Sequence, residues 1–204
     1  MTDTGAAPPD LLVLAFEDIA ERGWAGFGLA ALAERAGVPL VEVRRQLSGR
    51  RAILAALNRR IDEAMLSFEP AELDGLPPRD RAFELIMRRL DAMAPFRAGL
   101  RRLAREAPRD PAMAVLTACR IDRSMSWLQE AAGLRTFGLR ASLGRRALGA
   151  VYLQTLRVWF RDESVDLAKT MAELDKQLRR IEPVAGLRER RAAGAPEGEA
   201  PQAV

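Results

Sequence analysis

The sequence contains no histidine, one cysteine (Cys119) and one tyrosine (Tyr152), and aromatic residues make up only 5% of it. Without histidine the chain lacks the commonest general base and the imidazole ligand of most zinc sites. A single cysteine cannot form an intramolecular disulfide, which fits a reducing compartment. There is no run of about 18 apolar residues and no signal-peptide pattern at the start. We therefore expect a cytoplasmic protein with no stable membrane insertion.

Helix-forming residues dominate the amino-acid composition. Of the 204 residues, 49% are hydrophobic and 29% are charged, with Ala, Leu, Arg and Glu prominent. These residues lose little conformational entropy on entering a helix, so the composition favours an all-α fold of one or two small domains. The net charge of +4 permits a nucleic acid or an anionic membrane as a partner. No catalytic constellation, metal-ligand cluster or cofactor motif is evident, so we expect neither an enzyme nor a bound cofactor.

Apolar residues recur at helical spacing in about nine segments, separated by glycine and proline breaks. Asp10 is a suitable N-cap for the first helix, and Asp110 with Pro111 opens a long helix in the second half. The predicted helices cover residues 10–23, 29–36, 39–47, 50–68, 79–93, 96–107, 111–132, 139–161 and 164–182. We divide the chain into a flexible leader (1–9), a head (10–57), a body (58–182) and a disordered tail (183–204).

The stretch ALAERAGVPLVEVRRQL (31–47) predicts a helix-turn-helix. Gly37 forms the turn, and the second helix carries Arg44, Arg45 and Gln46. Arginine suits guanine edges and phosphates, and glutamine suits adenine, so this helix is a candidate for the major groove. Arg50, at the start of the next helix, is a candidate phosphate ligand. The alternative is that two short helices and an arginine pair form an ordinary solvated face.

The residues AERGW (20–24) and LAERAGV (32–38) resemble the DNA-binding head of the TetR family of bacterial repressors. The resemblance covers residues 11–57 and implies a three-helix head on a C-terminal helical bundle. It also implies a homodimer that binds operator DNA and responds to a ligand. By position, the residues facing DNA are Gly28, Pro39, Leu40, Glu42, Arg44, Arg45, Gln46 and Arg50.

Several of these positions depart from the family pattern. Gly28 replaces the usual Ser or Thr cap, Pro39 and Leu40 replace a Ser and often a Lys, and Arg44 replaces a phosphate-contacting Tyr. Glu42 replaces a small or hydroxylated residue and should repel phosphates. The head fold is therefore better supported than its affinity for DNA.

In the body, the last two predicted helices carry apolar stripes that suit helix–helix packing. One stripe can fill the core of the chain and another can contact a partner subunit, so we predict a dimer held by these two helices; the resemblance implies that they form a four-helix interface. The alternative is that both stripes fill the core of one chain. The predicted interface residues are Leu148, Val151, Thr155, Val158, Leu167, Met171, Leu174 and Leu178.

Methionine and aromatic side chains of the body predict an apolar pocket for a small ligand, with plain core as the alternative. The predicted pocket residues are Phe83, Met87, Met125, Trp127, Tyr152 and Trp159. Two functions remain open. The first is a ligand-responsive DNA-binding regulator, which the head favours. The second is a lipid-binding accessory protein, because residues 145–178 faintly resemble TetR-fold accessory proteins of ubiquinone biosynthesis.

Overall fold

The computed structural model of the protein describes residues 9–106, 110–185 and 187, which are helical with no strand among them. Among these described residues, nine α-helices have seven residues or more, and one single-turn helix, α5, lies between the fourth of them and the next. This confirms the predicted all-α class with about nine helices. The helices are α1 (Leu11–Gly26), α2 (Leu29–Ala36), α3 (Leu40–Gln46), α4 (Arg50–Leu66), α5 (Pro70–Leu73), α6 (Pro78–Met93), α7 (Arg97–Glu106), α8 (Pro111–Ala131), α9 (Leu139–Trp159) and α10 (Ala168–Ala185).

Local signals in the sequence set most of the helix starts and stops. The Asp10 carboxylate accepts hydrogen bonds from the backbone N–H groups of Leu12 (3.0 Å) and Val13 (3.3 Å), which begins α1. Asp110 caps α8 in the same way, with Pro111 as the first helical residue. Pro95 lies in a short 3-10 turn, Ala94–Phe96, between α6 and α7.

The first helix packs closely on the body. Gly99 of α7 lies so near α1 that a Cβ atom there would be 2.4 Å from the Phe16 carbonyl oxygen. The head core, which includes Phe16, Leu32 and Ile53, joins one continuous buried cluster with the body. The division into head (10–57) and body (58–182) stays a prediction, and α4 runs unbroken across that boundary.

The last two long helices form an antiparallel hairpin. The start of α9 meets the end of α10, where a Cβ on Gly144 would lie 3.2 Å from Ala185. α10 begins at residue 168 and not at the predicted 164, because the Asp162 carboxylate bonds Ser164 and Thr170 and holds the intervening loop. The helix also extends to Ala185, past the predicted end at 182. The rest of the predicted tail, except residue 187, and the leader up to residue 8 lie outside the described residues.

Candidate functional site

The turn between α2 and α3 has the geometry of a helix-turn-helix. Gly37 adopts the left-handed conformation (φ 66°), which glycine tolerates without steric cost. Its N–H donates to the Glu34 carbonyl and that of Val38 to the Ala33 carbonyl, both at 3.1 Å, which closes α2. Pro39 then caps α3 in an extended conformation. The chain therefore turns sharply between two short helices.

One side of α3 is anchored and the other faces solvent. Val43 and Leu47 are buried. Their burial leaves the opposite face exposed, including two apolar side chains, Leu40 (52% exposed) and Val41 (57%). The polar members of this face are Arg44, Arg45 and Gln46. Six of the eight predicted DNA-facing residues thus come together on and beside α3: Pro39, Leu40, Glu42, Arg44, Arg45 and Gln46.

Glu42 organises part of that face. Its carboxylate accepts hydrogen bonds from Arg45 Nη1 and from Gln46 Nε2, each at 3.1 Å. The Gln46 amide and then the Arg45 guanidinium hold the pKa of Glu42 below its ordinary value, so the group is ionised at neutral pH. Glu42 therefore offsets the charge of Arg45 and fixes both partners. Arg44 has no such acid beside it among the ion pairs of the described residues.

The remaining two predicted DNA-facing residues, Gly28 and Arg50, lie outside α3. Gly28 is the N-cap of α2, with no side chain to bond the first turn. Arg50 turns inward: Nη2 donates to the Trp24 carbonyl, and the guanidinium lies 4.9 Å from the centre of the Trp24 ring. Its predicted role as a phosphate ligand conflicts with this placement, because the guanidinium is already engaged at the end of α1.

Five predicted dimer residues are buried within the single chain, between α9, α10 and α6. A side chain that one chain already covers cannot contact a second copy, so this part of the predicted interface needs correction. Val158 and Leu167 are half-buried and Met171 is exposed, so they remain candidates. The five buried residues are Leu148, Val151, Thr155, Leu174 and Leu178.

A different stripe of α9 is uncovered. Its members recur at alternating spacings of four and three residues: Leu139, Leu143, Arg146, Ala150 and Leu153. Three of them are leucines that are 46–88% exposed. Sequence reasoning missed this stripe because the neighbouring ones contain more apolar residues. The heptad-like spacing of the three leucines was the available signal.

The structure does not bring the predicted ligand-pocket residues together around one cavity. Met125 and Trp159 are fully buried core residues, whereas Trp127 is half-exposed on the outer side of α8. Phe83 and Met87 are partly buried against the core of the body. Of the predicted set, Tyr152 lines an internal cavity, which lies between α4, α6, α7, α8 and α9.

The wall of this cavity contains a polar cluster. The Arg89 guanidinium, only 2% exposed, bonds the Asp62 carboxylate and donates to Asn58 Oδ1 at 3.0 Å. Ser124 of α8 donates to Asp62 Oδ2 at 3.0 Å. The cluster thus links α4, α6 and α8. A buried charge is tolerated when it is paired and hydrogen-bonded, which these contacts achieve except at Arg89 Nε.

Two further observations concern other kinds of site. No cluster of three or more potential metal ligands occurs within residues 9–106 and 110–185. In the same part of the chain, no helix has the length and apolarity needed to cross a membrane.

The architecture is that of known regulators. The chain is similar to the TetR transcriptional regulator from Nitrosomonas europaea ATCC 19718, with 29% identity, a TM-score of 0.69, and coverage of 84% of this chain and 95% of that one. It also shares the fold of a TetR transcriptional regulator from Rhodococcus sp. RHA1, with 17% identity, a TM-score of 0.59, and coverage of 84% and 92%. No protein-family model and no curated protein matches the sequence. The turn at Gly37, the helix order and these likenesses together show that this chain has the fold of the TetR transcriptional regulators.

Proposed function

We propose that this chain is a homodimeric, ligand-responsive transcriptional regulator that binds operator DNA through α3. The observation that carries the proposal is the outward face of α3, where Leu40, Arg44 and Gln46 project from a helix anchored by Val43 and Leu47. Cations suit phosphates and guanine edges, and exposed apolar side chains suit the thymine methyl group. A DNA partner implies a cytoplasmic location and a regulatory role in place of an enzymatic one.

The proposed dimer provides the second recognition helix that a palindromic site needs. Its support is the exposed stripe on α9, with Leu143 at 54% and Leu153 at 46% exposure. Met171 on the adjacent helix α10 is also exposed (40%). Leucines at heptad-like spacing suit helix–helix packing between two copies of a chain.

The proposed ligand response is supported by the position of α4. This helix begins beside the head, where Arg50 holds Trp24, and continues along the internal cavity with Leu54, Asn58 and Ile61. A molecule in the cavity would contact the same helix that meets the head. Occupancy can therefore bias the placement of α3 if it favours one position of α4.

The experiment is fluorescence anisotropy of purified protein with selected and random duplexes across a salt series. Each phosphate contact contributes about 0.9 to the log–log salt slope, so Arg44→Ala should lower the slope of a dimer by roughly two. The matched control is Arg140→Ala. Arg140 is exposed near the start of α9, beside the C-terminal part of α8, where Gln129 donates to the Ala141 carbonyl.

The control variant should leave the slope unchanged. Binding weaker than micromolar to every duplex at about 50 mM salt, with no effect of Arg44→Ala, contradicts DNA recognition. The lipid-binding accessory function would then replace it.

A further inference from the structure

Two adjoining cavities penetrate the body. The larger has a volume of about 400 Å³ and the smaller about 120 Å³. Six residues line both of them, so the two spaces lie side by side: Leu54, Met93, Leu100, Thr117, Ile121 and Leu156. Volumes of about 300–1,000 Å³ are usual for small-molecule pockets.

The larger space is apolar along its length. Apart from Thr117 and Arg157, its lining side chains are aliphatic, aromatic or methionine. Ala104 of α7 and Thr117 of α8, which border it, are exposed, so this space reaches the surface between α7 and α8. An entering molecule would therefore bury an apolar body and meet the smaller space at the inner end.

The inner end is polar and cationic. Arg89 Nε is a buried donor with no acceptor, and an unsatisfied buried donor is unfavourable. The Tyr152 hydroxyl, beside it, donates to Met93 Sδ at 3.0 Å, and a thioether is a weak acceptor. Arg120 lines the same space, is half-buried, and donates from Nη2 to the Arg51 carbonyl over a long distance of 3.5 Å.

The charges at this end do not balance. Asp62 pairs with Arg89. Arg120 is half-buried: the lining of the smaller space places no acid beside it, although it also borders an outer groove lined by Asp62 and Glu63. Across the residues that the structure describes, no carboxylate lines either cavity, although three arginines do: Arg89, Arg120 and Arg157. The lining therefore carries an excess of cationic side chains and one buried donor without an acceptor, both of which disfavour a cationic ligand.

We propose that the adjoining cavities bind a carboxylic acid with an unbranched apolar chain. The carboxylate lies between Arg89 and Arg120, accepts from Arg89 Nε and the Tyr152 hydroxyl, and neutralises Arg120. The chain extends along the larger space toward Phe160. This inference rests on the ligand-responsive part of the proposed function, for which it names the ligand class.

The test is titration calorimetry of delipidated full-length protein with decanoate, 1-decanol and decylamine as probes. Decanoate should bind at least tenfold more tightly than decanol, and decylamine should not bind. Shortening the acid to octanoate should weaken binding by about fourfold for each methylene removed, because the chain is buried. Equal binding of decanol and decanoate, or tighter binding of decylamine, overturns the proposal.

A pair of variants isolates the charge. Arg120→Gln should weaken decanoate by about tenfold and leave decanol unchanged, since one charge-assisted contact is lost. Arg123→Gln is the matched control, because Arg123 is exposed and lines the outer groove that Arg120 also borders, but neither of these two cavities. Equal loss in both variants, or none in Arg120→Gln, refutes the role of Arg120.

The same samples separate this inference from the proposed regulator. Anisotropy of ligand-free protein with DNA does not depend on the ligand class. Tight DNA binding without decanoate selectivity refutes the acid ligand alone. Decanoate selectivity without DNA binding refutes the regulator and leaves the ligand assignment standing.

Discussion

Replacing Arg50 distinguishes two roles of this side chain. Its position in the family pattern implies a phosphate ligand, whereas its contacts imply that it holds Trp24. In this structure Arg50 bonds the Trp24 carbonyl and stacks on the Trp24 ring at 4.9 Å. A hydrogen bond from a charged group contributes about 1.5–3 kcal/mol, and a partly exposed cation–π contact about 0.5–1 kcal/mol. Removing Arg50 also removes its buried, unsatisfied Nε, which offsets about 1 kcal/mol.

Arg50→Ala should therefore lower the free energy of unfolding by about 2 kcal/mol. For a chain of this length that corresponds to a Tm lower by roughly 4–8 °C in a calorimetric scan. Arg51→Ala is the matched control. Its side chain is exposed next to Arg50, and surface replacements of this kind change stability by about 0.5 kcal/mol at most.

The salt series on DNA provides the second readout. If Arg50 holds Trp24, the slope for Arg50→Ala should equal that of wild type, whereas a phosphate ligand would lower it by roughly two for a dimer. Unchanged stability together with a reduced slope would refute the reasoning from the structure and restore the role implied by the resemblance.

Three other changes test the dimer face, the cap and the loop before α10. Leu143→Glu should give folded monomers in light-scattering chromatography, because Leu143 is exposed on the proposed dimer face. Leu174→Glu should unfold the protein, because Leu174 is buried within one chain. Identical behaviour of the two variants contradicts the assignment of Leu143 to the dimer face. Gly28→Ser should raise the free energy of unfolding by about 0.5 kcal/mol in a urea titration, since φ is −142° and a Cβ there meets nothing within 4 Å. A lower free energy of unfolding would indicate a clash. Several hydrogen-bond donors hold the pKa of Asp162 far below its ordinary 3.8, and the Ser164 hydroxyl makes the largest contribution. The resulting stability is present above that value and is lost as the pH falls below it, so Asp162→Asn should lower Tm at pH 7 and flatten the acid dependence. An equally steep dependence in the variant argues against this.

The sequence by itself determined the class of fold and the head. Helix periodicity, the Asp10 and Asp110 caps and the turn at Gly37 are local signals, because each acts over one or two turns of chain. The anchoring of α3 by Val43 and Leu47 also follows from local spacing. The structural neighbours agree with the family resemblance that residues 11–57 carry.

Tertiary structure decided which apolar stripe serves which purpose. The pattern of α9 and α10 predicted seams, but the richest one, with Leu148 and Leu174, closes the hairpin inside one chain. A poorer stripe that contains Leu143 is left outside. Periodicity reports that a face is apolar, and it carries no information about which surface covers that face.

The polar features of the candidate sites also depended on contacts between distant segments. Arg50 meets Trp24 across 26 positions, and Arg89 meets Asp62 across 27. Arginine in a sequence indicates a solvated or ligand-binding charge, because burial of a cation is unfavourable unless a partner is in place. Packing of α4 against α1 and α6 supplies those partners, and long-range packing of this kind is decided by the whole fold.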